Sequence, residues 1–117
     1  MTVDRRAAGR AAEQLAAQFL ESRGLVIVER NFRCRAGEVD LVARDGATLV
    51  FVEVRLRAGS AFGGAAASVD ARKQAKVIRA AQYYLANHPD QPCRCDVVAL
   101  DHLAVERIEW IRNAFAA

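Results

Sequence analysis

Two short runs carry acids at a spacing that chemistry can use: Gly-Glu-Val-Asp-Leu at 37–41 and Phe-Val-Glu-Val-Arg at 51–55. Between them, Asp45-Gly46 is a strong two-residue hairpin signal. With that pair as the loop, Glu38 faces Glu53 and Asp40 faces Phe51. Alternation then puts Glu38, Asp40, Glu53 and Arg55 on one side of a sheet. Asp40 and Glu53 become diagonal neighbours about 7–8 Å apart along the backbone, close enough for two carboxylates to converge on one cation. Acids so placed repel and raise each other's pKa. A hard divalent ion removes the repulsion, and one or two carboxylates with several waters suit Mg²⁺ or Mn²⁺ bridging to a substrate phosphate. The other reading is a solvated polar face with Glu53–Arg55 and Asp40–Arg44 ion pairs of little energetic weight. Against it stands the apolar run Leu-Val-Phe-Val-Glu-Val, in which a carboxylate is costly unless paired or metal-bound. Both readings stand at this point.

A second constellation lies further along. Arg72, Lys76, Arg79 and Tyr83 recur at helical spacing as one basic stripe tipped by an aromatic, and Lys73 adds a cation beside it. Such a stripe is either an ordinary solvated face or a track for phosphates. Gln74, Ile78, Ala81 and Leu85 form a different, mostly apolar stripe expected to face the core, with Gln74 as its polar member. Ala58 to Ser68 is small and Gly-rich but lacks the Gly-Lys-Ser/Thr ending of a phosphate-binding loop. Cys93-x-Cys95 has too few well-spaced partners among Cys34, His88 and His102 for a structural zinc site, and the three cysteines read as small hydrophobes. The two histidines fall in turns and are assigned no chemistry.

The elements that must position these residues follow from periodicity and punctuation. Asp4 is placed to cap a helix running to about Arg23, with Ala8, Ala12, Leu15 and Phe19 on one face and Gly24 as terminator. Leu25–Asn31, Glu38–Arg44 and Ala47–Arg57 read as strands. Asp70 caps a second helix reaching Asn87, stopped before His88-Pro89. Cys95–Asp101 and Ala104–Ile111 complete the set. The predicted order is α-β-β-β-α-β-β in a single domain spanning 1–117, with helices packed on a mixed sheet.

Composition bounds the function. At 117 residues and 53% hydrophobic, the chain can bury a core, and a 26% charged fraction is ordinary for a globular domain. No apolar run approaches the ~20 residues of a membrane span, and the N-terminus lacks the apolar segment of a secretory signal, so a cytoplasmic protein without a membrane partner is expected. Seventeen basic against fourteen acidic residues give a net charge of +3. All the basic residues but Lys73 and Lys76 are arginine, whose planar fork suits phosphate.

The run GEVDLVARDGATLVFVEVR, preceded by GLVIVERNFRCRA and followed by FGGAAASVDARKQ, AAQYYL, CDVVAL and IEWIRNAF, resembles the YraN family of small bacterial proteins over nearly the whole chain. That family is placed in the PD-(D/E)xK superfamily near archaeal Holliday-junction resolvases. The resemblance implies a restriction-endonuclease-like fold and a Mg²⁺- or Mn²⁺-dependent endonuclease acting on DNA, branched or structured DNA included, with RNA as a further partner. It implies Asp40 and Glu53 as metal ligands, Glu13 and Glu38 as auxiliary acids, and Gln74 as a polar residue behind the site. Arg72, Lys73, Lys76 and Arg79 would contact nucleic acid. Arg55 stands where the motif carries lysine. Because arginine stays protonated it cannot act as a base, but it can clamp a phosphate. The rival expectation is a non-catalytic nucleic-acid-binding protein with a degenerate site. Resolvase-like enzymes commonly pair two sites, which makes a homodimer an assembly to test.

Overall fold

The computed structural model describes residues 5–56, 69–87, 91–101 and 108–116. The expected Asp4 cap, the Gly-rich loop at 58–68, and His88, Pro89 and His102 lie outside these residues. Helix α1 (Arg5–Ser22) is followed by strands β1 (Val26–Cys34), β2 (Gly37–Asp45) and β3 (Thr48–Leu56). Helix α2 (Ala71–Ala86), β4 (Cys93–Leu100) and β5 (Ile108–Phe115) complete the chain. The five strands form one sheet in sequence order, antiparallel except where β3 pairs with β4 in parallel. The crossover through α2 is what permits that parallel pair. Element order and mixed sheet are those of a restriction-endonuclease-like fold.

The helices cover opposite faces of the sheet. Ala12, Ala16, Ala17 and Leu20 of α1 pack on Leu41, Ala43, Val50, Val52 and Val98, with Leu15 and Phe19 at the margin. Phe19 meets Trp110 edge-on, ring centres 6.1 Å apart. On the other face, Val77, Ala80, Ala81 and Tyr84 of α2 pack on Val39, Val42, Leu49 and Phe51. The buried stripe of α2 is therefore turned from the expected one. Tyr84, wedged edge-on between Phe32 and Phe51, takes the core position, and Ile78 and Leu85 border it. Gly37 lets the helix come this close, because a Cβ there would lie 2.0 Å from the Lys76 carbonyl oxygen.

The β2–β3 register differs from expectation. The loop is Gly46-Ala47, not Asp45-Gly46: Asp45 faces Thr48, Val42 faces Phe51 and Leu41 faces Val52. Gly46 has φ +60° at the first loop position, the demand of a type II′ turn rather than the type I′ turn that Asp-Gly suggests. The displacement is an even number of residues, so the facing of β3 is preserved, and the paired register ends at Leu41 and Val52, with Asp40 and Glu53 next along their strands.

Strict alternation also fails, at a bulge between Ile27 and Glu29 of β1 and again around Asp40 of β2. Val39 belongs to the α2 layer and Leu41, two residues on, to the α1 layer. The paired strand turns over with it: Phe32 lies against Tyr84, whereas Arg30 Nη1 donates to Gln14 Oε1 of α1. Between them Asn31 has φ 53°, a left-handed conformation that asparagine tolerates better than most residues. Strand β1 runs through it to Cys34, past its expected end.

On the far side of the sheet a second polar device holds β4 and β5. Asp96, fully buried, accepts from Arg94 Nε at 3.0 and 3.2 Å, Trp110 Nε1 at 2.9 Å and Asn113 N at 2.8 Å. Arg94 also reaches Asp45 Oδ2 at 2.9 Å. Replacing Asp96 by Ala removes the shared acceptor of Arg94, Trp110 and the Asn113 backbone and should cost about 3–5 kcal/mol of folding free energy, measured by urea denaturation. Gly37→Ala should cost roughly 1–3 kcal/mol by forcing α2 off the sheet.

Candidate metal and phosphate site

Glu53 sits on the central strand, one residue past the fully buried run Leu49–Val52, and is itself only 1% exposed. Odd-numbered β3 residues face α2, so its side chain meets the first turn of that helix. That turn is set by the sequence before it. Asp70 Oδ1 accepts from Lys73 N at 2.9 Å, the N-cap arrangement, and Gln74 Nε2 donates to the Val69 carbonyl at 2.9 Å. The clamped turn delivers Lys73 Nζ to 3.1 Å from Glu53 Oε2. Neither Glu53 oxygen has a well-aligned hydrogen bond among the described residues; its polar neighbours are Lys73 and Asp40.

Asp40 closes the site from the β2 side. Its Oδ2 accepts from Val54 N at 2.8 Å, so the carboxylate supplies the acceptor for a backbone donor of β3. Burial first, and the Asp40 charge second, push the Glu53 carboxyl up to about 8, with Lys73 opposing them. For Lys73, burial works to lower the ammonium's pKa, and Glu53 and then Asp40 outweigh it, leaving it raised. Glu13 of α1 approaches from the opposite layer. Its carboxyl is raised by burial and by Asp40, against a hydrogen bond with Asn31 and the charges of Arg30 and Arg33. The turnover of the strands at Asn31 and Asp40 thus leaves Asp40 within electrostatic reach of acids from both helical layers.

Other expected residues are elsewhere. Glu38 neighbours Val39, which faces α2, so it lies on the opposite side from Glu53, and pairs with Arg33 at 3.5 Å. The expectation of four charged side chains on one face is corrected by the break in alternation. Gln74 is spent on the Val69 carbonyl. The alternative ion pairs are not formed either: Arg44 donates to Gln91, and Glu53 takes Lys73 in place of Arg55. Among the described residues Arg55 Nε is buried without a hydrogen-bond partner, and the residue lines a cleft of about 140 Å³ with Asp70, Arg72, Lys73 and Lys76. Arg72, Lys76, Arg79 and Tyr83 are exposed along α2.

The donor set meets the requirements of a hard divalent ion in one respect and limits it in another. Glu53 offers two buried oxygens without hydrogen bonds beside a second carboxylate, a pairing that fits an ion retaining several waters. No group of three or more His, Cys, Asp or Glu side chains among the described residues is gathered as a metal cluster. The fit is therefore to the Asp40–Glu53 pair.

A family model described as "Uncharacterised protein family UPF0102" matches residues 12–100. Among curated relatives, the chain is 54% identical over 108 residues to a UPF0102 protein of Nitrosomonas europaea, covering 92% of each chain. It is 55% identical over 111 residues to one of Dechloromonas aromatica, covering 95% of this chain and 90% of that one. No helix among the described residues is long and apolar enough to cross a membrane.

The raised Glu53 carboxyl makes stability depend on pH. From the ordinary 4.5 up to about 8, folded Glu53 keeps a proton that the unfolded chain has released. The folded state then binds more protons, so stability falls as pH rises through that window, by up to ~1.4 kcal/mol per pH unit for one proton. The Lys73 shift acts only at higher pH. Chemical denaturation in EDTA at several pH values should show this slope in the wild type, a flattened one in Glu53→Gln, and the variant as the more stable protein above about pH 8.

Proposed function

The chain belongs to the uncharacterised protein family UPF0102, the YraN family of the resemblance, and from its site we propose that it is a divalent-metal-dependent phosphodiester hydrolase acting on nucleic acid in the cytoplasm. The observation that carries this reading is a buried acid, Glu53, held by a single ion pair and set beside a second acid at the rim of a cationic cleft. A chain selected for stability alone would gain by replacing such a group with an apolar one.

Asp40 and Glu53 would hold the ion, with Mg²⁺ or Mn²⁺ matching their oxygen donors. Bound there, the ion supplies Lewis acidity at a phosphoryl oxygen. The remaining roles belong to the chain. Asp40 is held in place by the Val54 N–H, so it presents one oxygen in a fixed direction. Lys73 brings an ammonium against the Glu53 carboxyl group, where it can neutralise charge developing on a phosphate. This assigns to the helix the compact cation that position 55 lacks. Arg55, Arg72 and Lys76 line the approach and bind phosphate, with Arg79 further along the helix. Glu13 adds negative charge behind Asp40. DNA is the leading substrate class and RNA the second.

One observation favours a non-catalytic nucleic-acid-binding protein: the Lys73 ammonium already offsets Glu53, so the pair can exist without a metal. Metal titration and cleavage separate the readings. Under the hydrolase reading, Mn²⁺ should bind the wild type and support cleavage of labelled junction, flap, duplex or single-stranded DNA, or RNA. Asp40→Asn, whose amide oxygen can still accept from Val54 N, and Glu53→Gln should fold and lose cleavage. Lys73→Met should lower the rate about 10²–10³-fold, a larger loss than Arg55→Lys. Absence of both Mn²⁺ binding and cleavage in the wild type, with nucleic-acid binding intact, would establish the binding-protein reading.

A further inference from the structure

The cleft beside the acid pair gathers more positive charge than the pair can use. Four cations, Arg55, Arg72, Lys73 and Lys76, line a space of about 140 Å³ whose one acid is Asp70. Asp70 is engaged as the α2 cap, and Lys73 also serves Glu53. After Asp70 and the one negative charge of the Asp40–Glu53 pair facing Lys73 are counted, two positive charges are left over. Arg55 contributes a buried Nε with no hydrogen-bond partner among the described residues. A buried guanidinium donor left unsatisfied costs free energy, and like charges packed around a small space add to the cost. An anion seated in the cleft removes both. With the capacity of a handful of waters, each taking ~30 Å³ in the liquid, the space suits a single phosphate group. The α2 N-terminus adds a favourable field.

The surplus of two charges discriminates between kinds of phosphate. An internal phosphodiester carries one negative charge, whereas a phosphomonoester carries about −1.5 to −2 near pH 7. We infer that this cleft is a binding site for the terminal phosphate of a nucleic-acid strand, holding a strand end next to Asp40 and Glu53. The identity of the strand rests on the nucleic-acid reading above; the phosphate site does not require the metal.

The test uses the full chain in EDTA. Fluorescence anisotropy compares single strands of one sequence ending in a 5′-phosphate, a 3′-phosphate, or hydroxyls at both ends, while thermal melting reports the effect of inorganic phosphate alone. One phosphorylated strand should bind about tenfold tighter than the hydroxyl-ended one. Arg55→Met and Arg72→Met should each bring that ratio close to one. The exposed position of Arg72 makes its variant the safer folder. Equal affinity for all three strands overturns the inference, as does a preference that both variants retain. Stabilisation by inorganic phosphate with equal strand affinities would assign the cleft to free phosphate and overturn the strand-end assignment. A phosphate preference without Mn²⁺-dependent cleavage would leave this site standing and remove the hydrolase reading. Cleavage without the preference would do the reverse.

Discussion

Strand β3 is the middle strand of five, and both of its faces are covered by a helix, so its side chains from Leu49 to Glu53 are all buried. Placing a carboxylate on such a strand constrains everything around it. An isolated ionised acid there would be prohibitively costly, and in practice such groups are paired or hold their proton. The chain does both in part. Glu53 takes an ammonium from α2 and has a raised affinity for its own proton. The position of α2 and the protonation of Glu53 are thereby linked. The features that fix the helix, the Asp70 cap, the Gln74–Val69 bond, the close approach at Gly37 and the Tyr84 wedge, also fix where the ammonium sits relative to the acid.

Two buried acids on adjacent strands, Glu53 and Asp96, are accommodated in opposite ways. In the β3–β4 ladder Asp96 pairs with Val52, the residue before Glu53. Asp96 is surrounded by donors from Arg94, Trp110 and the Asn113 backbone, a saturated arrangement that ties β4 to β5 across the irregularity between Cys95 and Val97. Glu53, equally withdrawn from water, has one ion pair and, among the described residues, no well-aligned hydrogen bond. Satisfied buried polar groups specify a fold; unsatisfied ones persist where something outside the fold requires them.

Much of this was legible in the residues. Hydrophobic alternation located β2 and β3, Asp70 marked the start of α2, and the acids at 40 and 53 stood out because their strands are otherwise apolar. What was not legible depends on backbone geometry that side-chain patterns do not encode. Asp45-Gly46 fits a type I′ turn as well as Gly46-Ala47 fits a II′ turn, and only the packed sheet selects between them. Being even, the resulting displacement left the facing of Glu53 unharmed. The reversal at Asn31 and Asp40 broke the period-two rule and carried Glu38 away from the cluster. An asparagine in mid-strand was its only trace. Tyr84 was hidden because its ring competes with Leu85 for the same helical face. Lys73 was visible as a cation, but its pairing with Glu53 needed the tertiary contact between α2 and β3.

That contact also explains how position 55 can be arginine. On the same face of β3 as Glu53 and two residues further out, a lysine there would present its ammonium from the strand itself, and a second lysine on α2 would then add a redundant charge. With Lys73 against Glu53, the strand position is released from contact with the acid. A guanidinium is longer, planar and permanently charged, and its fork addresses phosphate oxygens better than it fills a point-charge site. The two cations therefore divide the work by shape: the compact one stands against the buried carboxylate, and the forked one turns into the cleft where its Nε awaits an acceptor. An exchange that weakens the motif when read along the strand becomes consistent when read across the sheet and helix. The cation at the acid is supplied by α2, and the arginine extends the site outward from the carboxylates.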